Sequence, residues 1–134
     1  MLNEKVINKI INLTMETRNF PQGKSSHFTF VLYKSKIIAI GKNKCKTTHP
    51  KAVKYGYRFH GIHSELHAML QCEKMNYDLS KCTIINTRLG LDRTLRMSKP
   101  CSKCQKLLKD FGITAIFYTD YNGQLCQFFT KEQI

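Results

Sequence analysis

Acidic side chains are scarce in this sequence: 9 Asp and Glu stand against 22 Lys and Arg, a formal net charge of +13. Such an excess suits a partner or substrate bearing phosphate. It serves equally as plain solubilising charge, because net charge bears on association and not on fold. Uninterrupted apolar runs are also missing. Glu4, Lys5 and Lys9 break up the first residues, so no signal-peptide core stands there, and no stretch is long enough to span a membrane. The expectation is a soluble, cytoplasmic protein with no membrane partner. In the absence of a secretory signal, the six cysteines read as reduced thiols, some of them metal ligands, rather than a disulfide set. No internal repeat, linker or low-complexity tract divides the chain. With 134 residues and 42% hydrophobic content, residues 1–134 are expected to form one domain with a real core.

Two periodicities alternate in what is there. Leu2, Val6, Ile7, Ile10, Ile11 and Leu13 recur at steps near three and four and predict an amphipathic helix over 2–17, ended by Pro21 and Gly23. The runs 27–33 and 36–41, separated by Lys34 and Ser35, read as a β-hairpin. Leu66, Met69, Leu70 and Met75 predict a helix over 63–75, and 82–87, built on Ile84 and Ile85, follows as a strand. A helix is expected over 101–111 with Gly112 at its stop, then a buried strand over 113–119. Asn122-Gly123 before the β-rich run 124–130 is a strong hairpin signal, which makes the fourth and fifth strands antiparallel. Two stretches are irregular and basic. The first, 42–61, has Lys and Arg at six positions and no acidic residue, a loop unusually long for a compact domain. The second is 88–99. The order helix, two strands, helix, strand, helix, two strands reads as an α/β layered domain.

Two short motifs carry the chemistry. His63-Ser64-Glu65 and Pro100-Cys101-Ser102-Lys103-Cys104 together match H-x-E followed by P-C-x-x-C, a zinc deaminase signature. Two cysteines three apart at a helix start share one side of its first turn. Unpaired N–H groups and the helix dipole there favour the thiolates that zinc binds. His63 supplies a neutral third ligand, and three protein ligands leave a tetrahedral zinc open to water. The pKa of that water falls to about 7. Glu65, near the metal without being a ligand, is placed to take the proton and deliver protons to the ring nitrogen and the departing amine.

Other readings of the same residues are weaker. Cys-x-x-Cys alone would suit a redox pair or half of a structural zinc site, but Cys45, Cys72, Cys82 and Cys126 are scattered and form no second pair. His63 and His67 lie four apart as in a zincin helix. That motif wants Glu directly after the first His, where this chain has Ser64, so a metalloprotease is discounted and His67 is read as packing behind the site. Gly23-Lys24-Ser25 superficially matches the end of a phosphate loop. Position 18 is Arg where the first glycine belongs, and a strand follows instead of a helix, so it is an ordinary loop.

On these motifs the chain resembles the cytidine and deoxycytidylate deaminase superfamily over nearly its whole length. His63-Ser64-Glu65-Leu66-His67-Ala68-Met69-Leu70 is similar to that family's His-Ala-Glu helix, and Ser98-Lys99-Pro100-Cys101-Ser102-Lys103-Cys104 to its second zinc motif. The resemblance implies a cytidine deaminase-like three-layer α/β domain, a five-stranded mixed sheet with helices on both faces. It implies one zinc ion and hydrolytic conversion of a cytosine base to uracil with release of ammonia. It also implies substrate-binding roles for Asn43, in Gly41-Lys42-Asn43 after the second strand, and for Ser64, which stands where the family more often has Ala. The alternative for Asn43 is a turn residue capping the strand end. Antiparallel final strands resemble the branch holding free cytidine, blasticidin and bacterial toxin deaminases. Deoxycytidylate and tRNA adenosine deaminases usually join those strands through a helix. Relatives with the antiparallel arrangement are often dimers or tetramers, so the resemblance is consistent with a homo-oligomer.

The substrate stays open between several classes. Tyr55, Tyr57, Phe59 and His60 lie among the cations of 42–61, and stacking on such rings is worth about 1–3 kcal/mol per base. Arg88, Arg93, Arg96 and Lys99 are candidate phosphate contacts, Arg88 and Arg96 foremost, or else a solvated basic loop. A nucleotide or a single-stranded nucleic acid would use them, and a free nucleoside would not. Adenine or guanine as the base, and a zinc-stabilised nucleic-acid-binding module without chemistry, are the remaining alternatives.

Overall fold

The computed structural model describes residues 2–43 and 63–129. Helix α1, Glu4–Met15, is capped by Asn3, whose side chain accepts from the Lys5 N–H at 2.8 Å and so satisfies one donor that every helix start leaves over. It is shorter than the expected 2–17. Arg93 donates to the carbonyls of Met15 and Thr17 at its far end, and Pro21–Gly23 forms a separate 3-10 turn.

Strands β1, Ser26–Tyr33, and β2, Lys36–Lys42, form the expected hairpin. Then come α2, Ser64–Cys72; β3, Cys82–Leu89; α3, Ser102–Asp110; β4, Ala115–Thr119; and β5, Leu125–Phe129. The sheet order is β2-β1-β3-β4-β5. β1 is antiparallel to both β2 and β3, β3 is parallel to β4, and β4 is antiparallel to β5. The sheet is therefore mixed, and α3 supplies the crossover that its parallel pair requires. Gly112, at φ 90°, ends α3 as expected. Its N–H reaches Lys109 O and that of Ile113 reaches Leu108 O, a paired closure of the last turn that delays β4 to Ala115.

Alternation along the strands sorts the side chains onto two faces. Phe28, Phe30, Leu32 and Ile85 pack with Ile10 of α1. On the other face Val31 and Ile84 pack with Leu66 and Met69 of α2 and with Leu107 and Leu108 of α3. Helices thus cover both faces, as expected. The second face also carries His27 and Thr29 from β1 and Asn86 and Arg88 from β3, in two directly opposed pairs, Thr29↔Asn86 and His27↔Arg88. β3 runs beyond the expected 82–87 because its pairing with β1 continues to Ser26↔Leu89. Arg88 is therefore a strand residue and not part of an irregular loop. Helix α2 lies hard against β2: a Cβ added to Gly41 would stand 2.1 Å from Ser64 O and 2.6 Å from Ala68 N. Among the described residues, no helix is long and apolar enough to cross a membrane.

Candidate active site

Both motifs sit at helix starts. His63 is the N-cap of α2 and Cys101 the N-cap of α3, with Cys104 in the first turn of α3. The sheet brings the two starts together, so that one ligand atom from each of His63, Cys101 and Cys104 lies within 4.8 Å of the others. His63 Nδ1 is 3.4 Å from Cys104 Sγ and 3.9 Å from Cys101 Sγ. Zn–S and Zn–N distances near 2.3 and 2.0 Å in a tetrahedron hold S and N about 3.5 Å apart. The donor set fits a zinc ion with only small adjustment. Cys104 is buried, whereas His63 and Cys101 are exposed and face the approach.

Electrostatics favour the ligating, thiolate form of Cys101. Hydrogen bonding from the Cys104 side chain, with His63 contributing, pulls the Cys101 thiol down to about 4 against the opposing effect of burial. The reciprocal effect raises His63. Its hydrogen bond with Cys101 acts first and the charge of Glu65 adds, while burial and Lys103 oppose.

Glu65 points into the core behind this cluster and is 6% exposed. Its Oε2 accepts from Asn86 Nδ2 at 2.9 Å and its Oε1 from Ser64 Oγ at 3.2 Å. Thr29 Oγ1 donates to Asn86 Oδ1 at 2.7 Å and lies 2.8 Å from Ser64 Oγ. The four side chains form an open hydrogen-bonded chain, Thr29 to Asn86 to Glu65 with Ser64 also donating to Glu65, and the Thr29 and Ser64 hydroxyl oxygens lie in contact. Asn86 Nδ2 also donates to Ser98 O at 3.2 Å, and Ser98 Oγ donates to Asn86 O at 2.8 Å. Ser98 is further tied to Thr119 through its backbone N–H and through its hydroxyl, so the segment leading into Pro100-Cys101 is pinned between β3 and β4.

The next pair along the strands, His27↔Arg88, lies beside His63. Burial pushes the His27 imidazole down to about 4, with the charges of Arg88 and His63 adding. Arg88 Nε donates to Ser25 Oγ at 2.8 Å. Asn43 Oδ1 accepts from the His27 N–H at 3.0 Å and Asn43 Nδ2 donates to Ser25 O at 3.2 Å, so its amide fastens the end of β2 to the start of β1.

The other expected residues are spread more widely. Arg96 pairs with Asp92 at 2.9 Å on the surface, Arg93 holds the end of α1, and Lys99 Nζ lies 6.0 Å from the Tyr118 ring centroid. His67 Nδ1 accepts from the Lys42 N–H at 2.9 Å, so it ties α2 to β2, in keeping with its expected packing role. Cys45 and the aromatic group Tyr55, Tyr57, Phe59 and His60 lie outside the described residues. Thr29, Asn86 and Ser98 were given no role by sequence reasoning. The only signal of Thr29 and Asn86 is polarity inside apolar strands, as in Phe28-Thr29-Phe30 and Ile84-Ile85-Asn86, and Ser98 stands out only as the first residue of the second motif.

Comparison with known proteins agrees with this geometry. Two solved structures of the deoxycytidylate (dCMP) deaminase from the cyanophage S-TIM5 resemble the chain with a TM-score of 0.57. The apo form is 19% identical over 90% of this chain and 86% of that one. The form in complex with dCMP and dUMP is 18% identical over 88% and 81%. Cytidine deaminase from Burkholderia pseudomallei resembles it with a TM-score of 0.66, at 12% identity over 98% of this chain and 95% of that one. No curated protein sequence matches the chain. The family model for the cytidine and deoxycytidylate deaminase zinc-binding region matches residues 3–120, and the chain therefore belongs to that family of zinc-binding deaminases.

Proposed function

We propose that the chain hydrolytically deaminates a cytosine base carried on a nucleotide, with His63, Cys101 and Cys104 holding the zinc ion and Glu65 moving the protons. The observation that carries the reading is a buried carboxylate, Glu65, held beside a three-ligand cluster. When bound, zinc supplies the Lewis acidity that makes water nucleophilic at neutral pH. Water adds at C4 of the ring and the C4–amine bond breaks, giving uracil and ammonia. Glu65 receives the water's proton and returns protons to the ring nitrogen and the leaving amine. Arg88 meets the phosphate, standing one strand pair beyond Asn86 on the same face, and Asn43 and Ser64 border the base. A neighbouring fold, the cyanophage deaminase, binds dCMP and dUMP, which supports a nucleotide here.

A free nucleoside is the second reading, favoured by the antiparallel β4–β5 pair and by the fold's likeness to a cytidine deaminase. A substrate panel with product detection by mass shift separates the two: cytidine, deoxycytidine, their monophosphates and single-stranded oligonucleotides. The monophosphates should be turned over best, and Arg88→Gln should cut their kcat/KM about tenfold to a hundredfold, the worth of one charge-assisted hydrogen bond, while leaving nucleosides unchanged. Equal loss on both classes would remove Arg88 from the phosphate. Activity on single strands that falls steeply with salt would favour a polynucleotide. A wild-type protein no more active than Glu65→Ala on any substrate would make it a binding module.

A further inference from the structure

We propose that Asn86, locked by Thr29 and Ser98 and joined by Ser64, is the positioning residue that aims the Glu65 carboxylate; the inference rests on Glu65 being the proton carrier. A carboxylate on a flexible side chain has to be held in one orientation to exchange protons with water on one side and a ring nitrogen on the other. Here each oxygen of Glu65 has its own donor, Asn86 for Oε2 and Ser64 for Oε1. The Asn86 amide cannot turn over. Reversed, its oxygen would face Glu65 Oε2 and Ser98 O, both acceptors, and both hydrogen bonds would be lost.

Thr29 enforces the same sense. Its hydroxyl gives its single proton to Asn86 Oδ1, and the two residues are directly opposed on the central strands β1 and β3. Thr29 is fully buried and Asn86 3% exposed, so the pair is a rigid platform built into the sheet. Ser64, on α2, touches both Thr29 and Glu65 and gives its single proton to Glu65 Oε1. Alanine at that position would leave Glu65 Oε1 without this donor. Positioning of the acid in this chain is therefore shared between the helix that carries it and the two strands beneath.

The test combines kinetics with a signal that does not need turnover. In Asn86→Ala, kcat should fall about tenfold to a hundredfold, with KM and zinc per chain unchanged. Thr29→Val, nearly isosteric, should lose kcat in the same way, and Thr29→Ser, which keeps the hydroxyl, should recover most of it. In zinc-loaded wild type the Asn86 side-chain amide protons should exchange slowly with solvent by NMR, and both should shift in Glu65→Ala. The proposal is overturned if Thr29→Ser is as impaired as Thr29→Val, if KM rises in place of the fall in kcat, or if the Asn86 amide signals ignore Glu65→Ala. A wild-type protein that converts no substrate in the panel sinks the deaminase reading by itself, and the amide signals still decide whether Asn86 holds Glu65.

Discussion

His27 shows how one residue converts its surroundings into a measurable property. Burial, with Arg88 and His63 beside it, holds the imidazole at about 4 against an ordinary 6.5, so the unfolded chain takes up a proton that the folded protein refuses. Stability from this group is complete above pH 6.5 and is lost as pH falls toward 4. Thermal melts of metal-free protein between these limits should therefore show a steeper acid decline in wild type than in His27→Gln. Identical slopes would mean that His27 is not the residue refusing the proton. At this scale the clustering of His63, Cys101 and Cys104, with a carboxylate beside them, was legible because the two motifs are compact along the chain: His63 and Glu65 are neighbours on one helix start, as are Cys101 and Cys104 on another. Thr29 and Asn86 were not legible as a pair. A lone polar residue in an apolar strand acquires meaning only when the strand opposite supplies its partner, and that depends on register between distant segments.

Among the elements, the contact of α2 with β2 depends most on a single atom. Gly41 has no room for a side chain, since even a methyl group would overlap the Ser64 carbonyl and the Ala68 N–H. Gly41→Ala should cost about 1–3 kcal/mol or more, the range for overpacking, and should push the start of α2 away from the sheet. Denaturant unfolding measures the first effect. The second should appear as weakened zinc binding, because His63 begins that helix. Normal stability together with normal zinc affinity would show that the helix yields more easily than the backbone contact implies. The hairpins and the end of α3 were readable from turn residues acting locally, such as Lys34-Ser35 and Gly112. The extent of β3 was not, because pairing with Ser26 and His27 decides it.

For the molecule as a whole, the metal would join two helices that are distant in sequence and pack on the same face of the sheet. A ligand bound only by the folded state stabilises it by mass action, about 2.7 kcal/mol at a hundredfold excess over Kd. Chelation should therefore lower the melting temperature of the wild type. Cys104→Ser, which removes the buried ligand, should melt low with or without chelator. A chelator that shifts both proteins equally would mean that the ion lies elsewhere. The layered architecture and the antiparallel closing pair were legible because hydrophobic period and an Asn-Gly turn are local signals. Which nucleic acid derivative enters was not, because the aromatic and basic run 42–61 carries no periodic pattern from which a structure can be read.

Arg93 commits its guanidinium to the carbonyls of Met15, the last residue of α1, and of Thr17 just beyond it, which moors the strap between Leu89 and Pro100 to the first helix of the chain. Trimming the amino end would cast off that mooring. The injury would surface far along the polypeptide, as a Cys101 delivered late or askew, and an assay would misread a missing anchor as a damaged catalyst.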